Sequence, residues 1–132
     1  TELTDMLKHI LPAGPVFRTQ RPGGAEEVQS AQGEGVGLPM AVLVNADTYS
    51  AAELFAAQCK ESAGAVIVGE PTSGKGYSQQ TFPLTGGGAI NISTARYTTG
   101  AGVSLVGLDA EVYPDDSGAD VQLGKALELL GK

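Results

Sequence analysis

Three side chains in the sequence have types and spacing that could do chemistry together: Ser50, Lys75 and Gln79. Ser50 stands where an apolar run and a short turn feed a helical pattern. A serine so placed presents its hydroxyl at the mouth of a sheet. The backbone N–H of Ala51 then points out of a helix N-terminus, where it can hold an oxyanion. Lys75 follows 25 residues later and Gln79 four residues after that. A serine nucleophile needs a base, and the one histidine, His9, falls off the apolar stripe of its own helix and reads as solvated. A lysine serves if it is neutral, which requires burial to pull its pKa down from about 10.4. Gly74 and Gly76 flank Lys75 and allow a tight backbone. Gln79 can hydrogen-bond the amine and orient it without adding charge.

Plainer readings of the same residues stand beside this one. Ser50-Ala51-Ala52-Glu53 matches a capping box, with Ser at the N-cap and Glu three residues on. Gly69–Gly76 fits the G-x-x-x-x-G-K pattern of a phosphate-binding loop. Gly76 stands where that loop needs Ser or Thr for magnesium, and the residues that follow read as a strand rather than a helix. Cys59 lies on the apolar face of its helix, as a buried, inert thiol would. The acidic residues Asp109, Glu111, Asp115, Asp116 and Asp120 lack calcium-loop spacing and read as a solvated face.

The elements that must position these groups can be traced along the chain. Residues 2–11 carry a helical apolar stripe closed by Pro12 and Gly14. Pro15–Thr19 reads as a short strand, and 20–38 as a polar, glycine-rich, mobile loop. Met40–Val44 and Ala65–Val68 are apolar runs on either side of a helix over Ser50–Ser62, which favours two parallel strands. Tyr77–Leu84 and Ala89–Tyr97 read as a hairpin turned by Thr85–Gly88. Val103–Val106 reads as a further strand and Ala119–Leu130 as a final helix.

Composition narrows the function classes. The 132 residues include 8 Lys+Arg against 15 Asp+Glu, a net charge of −7. That balance argues against nucleic acid, whose phosphates need clustered Lys and Arg. No apolar run approaches the roughly 18 residues of a spanning helix, so this segment is not expected to insert into a membrane. One cysteine excludes an internal disulfide and a Cys-based zinc site. The 19 glycines are about twice the usual share. The chain begins without Met and shows no signal-peptide pattern, and so reads as a mature form or an excised piece.

Taken together, Asn45–Gly76 resembles the carboxy-terminal processing peptidases, or tail-specific proteases. That family carries Ser-Ala-Ser/Ala-Glu and Gly-Glu-x-Thr-x-Gly-Lys-Gly followed by Gln. The likeness continues through Ala95-Arg96-Tyr97-Thr98 and Pro114-Asp115, and runs from Leu38 to about Asp116. It implies that Ser50 is the nucleophile, Lys75 the general base and Gln79 its orienting partner, with the Ala51 N–H in the oxyanion hole. It implies an α/β fold of the Clp protease/crotonase type and a serine endopeptidase that cuts proteins or peptides near their C-termini. No metal or cofactor is expected. The family's usual place is the cell envelope, and no oligomeric state follows.

The chain departs from the family in lacking Leu-Arg-x-Asn-x-Gly-Gly, whose glycine gives the second oxyanion N–H. Arg21-Pro22-Gly23-Gly24 looks similar in isolation but reads as a loop. A peptide-binding PDZ module is also missing. Residues 1–132 are therefore expected to form part of one protease core domain, nearly inactive alone. One oxyanion donor is worth on the order of 10²–10³ in rate. The alternative is a non-catalytic binding module related to the domains of interphotoreceptor retinoid-binding protein.

Overall fold

The computed structural model describes residues 2–105, 108 and 120–132. The order is α1 (Glu2–Ile10), β1 (Gly14–Gln20), β2 (Glu26–Ala31), β3 (Ala41–Val44), α2 (Ala51–Ala63), β4 (Val66–Gly69), β5 (Tyr77–Pro83), β6 (Ala89–Thr99) and α3 (Val121–Leu129). The mixed α/β class is the one the sequence indicates.

Two sheets form among the described residues. β3 and β4 pair in parallel, with Ala41 opposite Val66 and Val44 opposite Gly69. This is the strand–helix–strand unit expected from two apolar runs around a helix. At its end a Cβ on Gly69 would lie 1.9 Å from the Val44 carbonyl oxygen, with φ +135°, so only glycine fits. The other sheet is antiparallel in the order β2-β1-β6-β5. α1 and α2 pack against it, and α3 packs on β3 and β4.

The helix α2 joins the parts. Cys59 sits in a cluster with Leu7, Leu11, Val16, Ala31 and Ala65. Ala56 packs with Val44 and Ile67. Leu54 and Ala57 pack with Leu105. One helix of 13 residues thus contributes to all three core clusters among the described residues, which fixes the position of its N-terminus. Its buried Gln58 adds polar ties: Nε2 donates to Pro15 O at 3.3 Å and Oε1 accepts from Gly100 N–H at 2.7 Å. A buried amide satisfied on both ends specifies position rather than weakening the core.

Two expectations are corrected. Within 20–38, read as a loop throughout, Glu26–Ala31 forms β2 and pairs with β1 from Gln20↔Glu26 to Gly14↔Ala31. Its strand is an edge with five of its six residues at least partly exposed, so it shows no apolar alternation. Pairing with β1 and the ion pairs Arg18–Glu26 and Arg21–Glu27 hold it instead. Arg21–Gly24 is the connecting turn, with Gly24 N–H donating to Arg21 O at 3.1 Å. Of Val103–Val106, the described part forms only an isolated bridge, Ser104 to Thr98; Val106 lies outside the described residues. So do Asp109, Glu111 and Pro114–Asp116. Asp120 is described and caps α3, its Oδ1 accepting from Leu123 N–H at 2.9 Å.

Candidate active site

The site grows out of the join between β3 and α2. After Val44 the chain is locked into a turn by Asn45 and Thr48. Asn45 Oδ1 accepts from Asp47 N–H and Thr48 Oγ1 from Asn45 N–H, each at 3.0 Å. Such side-chain-to-backbone bonds are why Asn and Thr favour turns. The turn delivers Ser50 at φ +56°, ψ −115°. Ser50 is the only non-glycine residue at positive φ among the described residues. An N-cap serine ordinarily has β-region dihedrals. This conformation costs of order 1–3 kcal/mol and persists where the surroundings impose it. A strained serine on a strand–turn–helix corner is the geometry that exposes a nucleophilic hydroxyl.

Ser50 and Glu53 form a capping box. Ser50 N–H donates to Glu53 Oε2 at 2.9 Å. The Ala51 N–H, next in the chain, has no acceptor among the described residues. It is the donor available to an oxyanion at the start of α2.

Glu53 does more than cap. Its side chain is fully buried. Oε1 accepts from Thr72 Oγ1 at 2.6 Å and from Gly74 N–H at 2.6 Å. Oε2 accepts from Lys75 N–H at 2.8 Å and from Ser73 Oγ at 3.4 Å. Ser73 N–H donates to Thr48 O at 3.1 Å, which adds a second strap. The loop carrying Lys75 is thereby tied to the first turn of the helix carrying Ser50. Gly74 turns this loop at φ +76°. Burial alone would raise the Glu53 pKa. The hydrogen bonds from Thr72, Gly74, Lys75 and Ser50 outweigh it and hold the carboxyl below its ordinary value.

Lys75 itself is exposed, with its Nζ over the Tyr49 ring at 5.7 Å from the centroid. No hydrogen bond joins its amine to the Ser50 hydroxyl. A lysine base requires an apolar setting, and in this structure the Lys75 side chain is exposed. Gln79 lies on β5, and its Oε1 accepts from Asn91 Nδ2 at 3.3 Å rather than engaging the lysine. Ser50, Ala51, Lys75 and Gln79 nevertheless line one cleft of about 920 Å³. Its walls also include Leu54 and the edge-to-face pair Phe17 and Tyr97.

The other candidates fall away from this cleft. His9 is exposed on α1. Burial pushes the Cys59 thiol up to about 11, so it is a poor nucleophile. The phosphate-loop alternative is contradicted: residues after Gly76 form the strand β5, and the Gly74 and Lys75 amides are already given to Glu53. No group of three or more His, Cys, Asp or Glu among the described residues is placed to hold a metal. Sequence reasoning saw Glu53 as a cap and missed that it holds the lysine loop. The hydroxyls of Thr72 and Ser73 were the available signal.

Comparison with known proteins gives the family and the fold. The sequence pattern of Peptidase family S41 matches residues 1–116. The chain belongs to peptidase family S41. A chloroplast C-terminal processing peptidase of Tetradesmus obliquus is 39% identical over 103 residues, covering 70% of this chain and 22% of that protein. A carboxyl-terminal-processing protease of Synechocystis sp. is 34% identical over 140 residues, covering 96% of this chain and 32% of that protein. The structure of a photosystem II D1 C-terminal processing protease superposes with a TM-score of 0.73 at 30% identity, over 98% of this chain and 35% of that one. A structure described as a putative S41 protease from Bacteroides fragilis shares the fold at a TM-score of 0.74 and 14% identity. This S41 chain therefore spans between 22% and 40% of the length of these proteins. The α/β architecture is that of the processing proteases, of which it makes one part.

Proposed function

We propose that this S41 chain carries the nucleophile and base of a serine endopeptidase that cleaves protein or peptide chains near their C-termini. The observation that carries the proposal is Ser50 at φ +56° beside an Ala51 N–H with no acceptor among the described residues, with the Lys75 loop bound to the same helix through Glu53. The names of the processing-protease relatives support the substrate class.

In this reading a neutral Lys75 Nζ takes the proton from Ser50 Oγ as the oxygen attacks the scissile carbonyl. The carbonyl oxygen, now negative, takes a hydrogen bond from Ala51 N–H. The C–N bond breaks, and the Lys75 ammonium returns its proton to the leaving amine. Water then attacks the acyl-enzyme. Lys75 takes a proton from that water, the ester bond to Oγ breaks, and Ser50 is protonated again. No step calls on a metal or cofactor. For the base to work, the exposed amine must lose water, and substrate lying in the cleft would remove it. Gln79 would orient the amine after leaving Asn91.

Residues 1–132 on their own are expected to turn over slowly, because they supply one oxyanion donor, Ala51. A place in the cell envelope follows only from the family. No helix of the described residues is long and apolar enough to cross a membrane. The test is cleavage of an unfolded protein by the natural full-length protein and its Ser50→Ala and Lys75→Ala variants, each checked for fold by circular dichroism. Loss of cleavage in both is expected. Wild-type cleavage by either would overturn the assignment, and a tight lipid complex without peptidase activity would favour the binding-module alternative.

A further inference from the structure

We propose that Tyr49 is a positioning residue that parks the charged form of Lys75 away from Ser50 and releases it when the amine becomes neutral. The proposal rests on the reading of Ser50 and Lys75 as nucleophile and base.

Three observations carry it. First, Lys75 Nζ sits 5.7 Å from the Tyr49 ring centroid and makes no hydrogen bond to the serine one residue further on. Cation–π attraction within about 6 Å is a property of the ammonium, because the ring quadrupole attracts charge; a neutral amine loses it. Second, the Lys75 main chain is fixed, since its N–H is held by Glu53 at 2.8 Å. Only the flexible four-carbon stem is free to swing about that anchor. Third, Tyr49 occupies the position before the N-cap, where an apolar residue commonly packs on the fourth residue of the helix. That residue, Leu54, is 3% exposed, whereas Tyr49 is 60% exposed. Its ring is presented at the rim of the site rather than consumed in the core.

In the substrate-free protein the two positions of the lysine thus correspond to its two charge states, whereas the ammonium formed during the reaction is held in the site by the oxyanion until it returns its proton. The ammonium rests on the ring. The neutral amine has no reason to stay there and gains a hydrogen bond by accepting from the Ser50 hydroxyl. No bond is made or broken in this exchange beyond the loss of one proton to water. Tyr49 links where the base stands to whether it can act, and a competent arrangement forms only when it is uncharged.

The test uses the natural full-length protein with its lysines reductively dimethylated with ¹³C, which keeps their charge. The ring current of Tyr49 should displace the Lys75 methyl resonance from those of the other lysines, with Lys75→Arg identifying it. Tyr49→Phe should keep the displacement and Tyr49→Ala should abolish it. In unlabelled protein Tyr49→Ala should raise kcat about 2- to 5-fold, the strength of an exposed cation–π contact, with KM unchanged. Tyr49→Phe should reverse that rise. An undisplaced Lys75 resonance in the wild type, an unchanged or lower kcat in Tyr49→Ala, or a change confined to KM would overturn the proposal. Failure of the underlying dyad reads differently, as full activity in Lys75→Ala; Tyr49 then has no base to hold, and the proposal falls with it.

Discussion

The Glu53 carboxylate and the Lys75 backbone are joined across 22 residues of sequence, Lys75 N–H donating to Glu53 Oε2 at 2.8 Å. With the Thr72, Ser73, Gly74 and Ser50 donors, this makes one buried carboxylate the link between the two halves of the site.

Replacing that carboxylate with an amide should therefore damage both stability and activity. In Glu53→Gln one oxygen becomes an NH₂ facing groups that also donate. Each buried donor left unpaired costs about 1–3 kcal/mol, so a loss of about 2–4 kcal/mol is expected in urea denaturation. Activity should fall about 10²-fold even where the variant is folded, since a displacement of about 1 Å at the base is enough.

The same group sets a pH dependence. The folded state holds the Glu53 carboxyl below its ordinary value. The unfolded chain therefore takes up the proton first as pH falls. Its stabilisation is complete above the unfolded value of about 4.3 and is lost as pH drops from there through the lower folded-state value. Denaturation midpoints measured between pH 6 and pH 3 should decline less steeply in Glu53→Gln than in the wild type. Equal slopes would show that Glu53 does not contribute.

The strain at Ser50 makes an opposite prediction for stability. Glycine adopts φ +56° without a Cβ penalty, whereas alanine keeps it. Ser50→Gly should be more stable than Ser50→Ala by about 1 kcal/mol, although both lack the nucleophile. Equal stability of the two would mean that the backbone is not strained there.

Cys59 should be silent until the protein unfolds. Its side chain is fully buried and its thiol is pushed up to about 11. Iodoacetamide at pH 8 should leave it unmodified by mass spectrometry in native protein and alkylate it fully in denaturant. Labelling of the native state would contradict the packing of α2.

Much of the fold was legible because its signals are local. The apolar runs around Val44 and Val68 predict β3 and β4, and the stripe through Leu3, Leu7 and Ile10 predicts α1. β2 was hidden because an edge strand held by hairpin pairing and ion pairs needs no apolar alternation. Within the site, residue types and order pointed to Ser50, Lys75 and Gln79. Their present contacts were beyond sequence reading. The positive φ of Ser50 is imposed by the Asn45–Thr48 turn and by a helix anchored in three clusters. The reach of Glu53 to Lys75 is a tertiary fact, and a capping box predicts only its local half. The exposure of Lys75 and the Asn91 partner of Gln79 depend on side-chain placement that spacing does not encode.

The central claim, that Ser50 and Lys75 act as one unit, is tested most directly by a double-mutant cycle in the natural full-length protein. The measurement is kcat/KM for cleavage of an unfolded substrate by Ser50→Ala, Lys75→Ala and the double variant. Removing the base is expected to cost on the order of 10²–10⁴, removing the nucleophile at least as much, and the double variant should be no worse than the more damaged single one. Wild-type cleavage by either single variant, or losses that multiply in the double, would contradict the account.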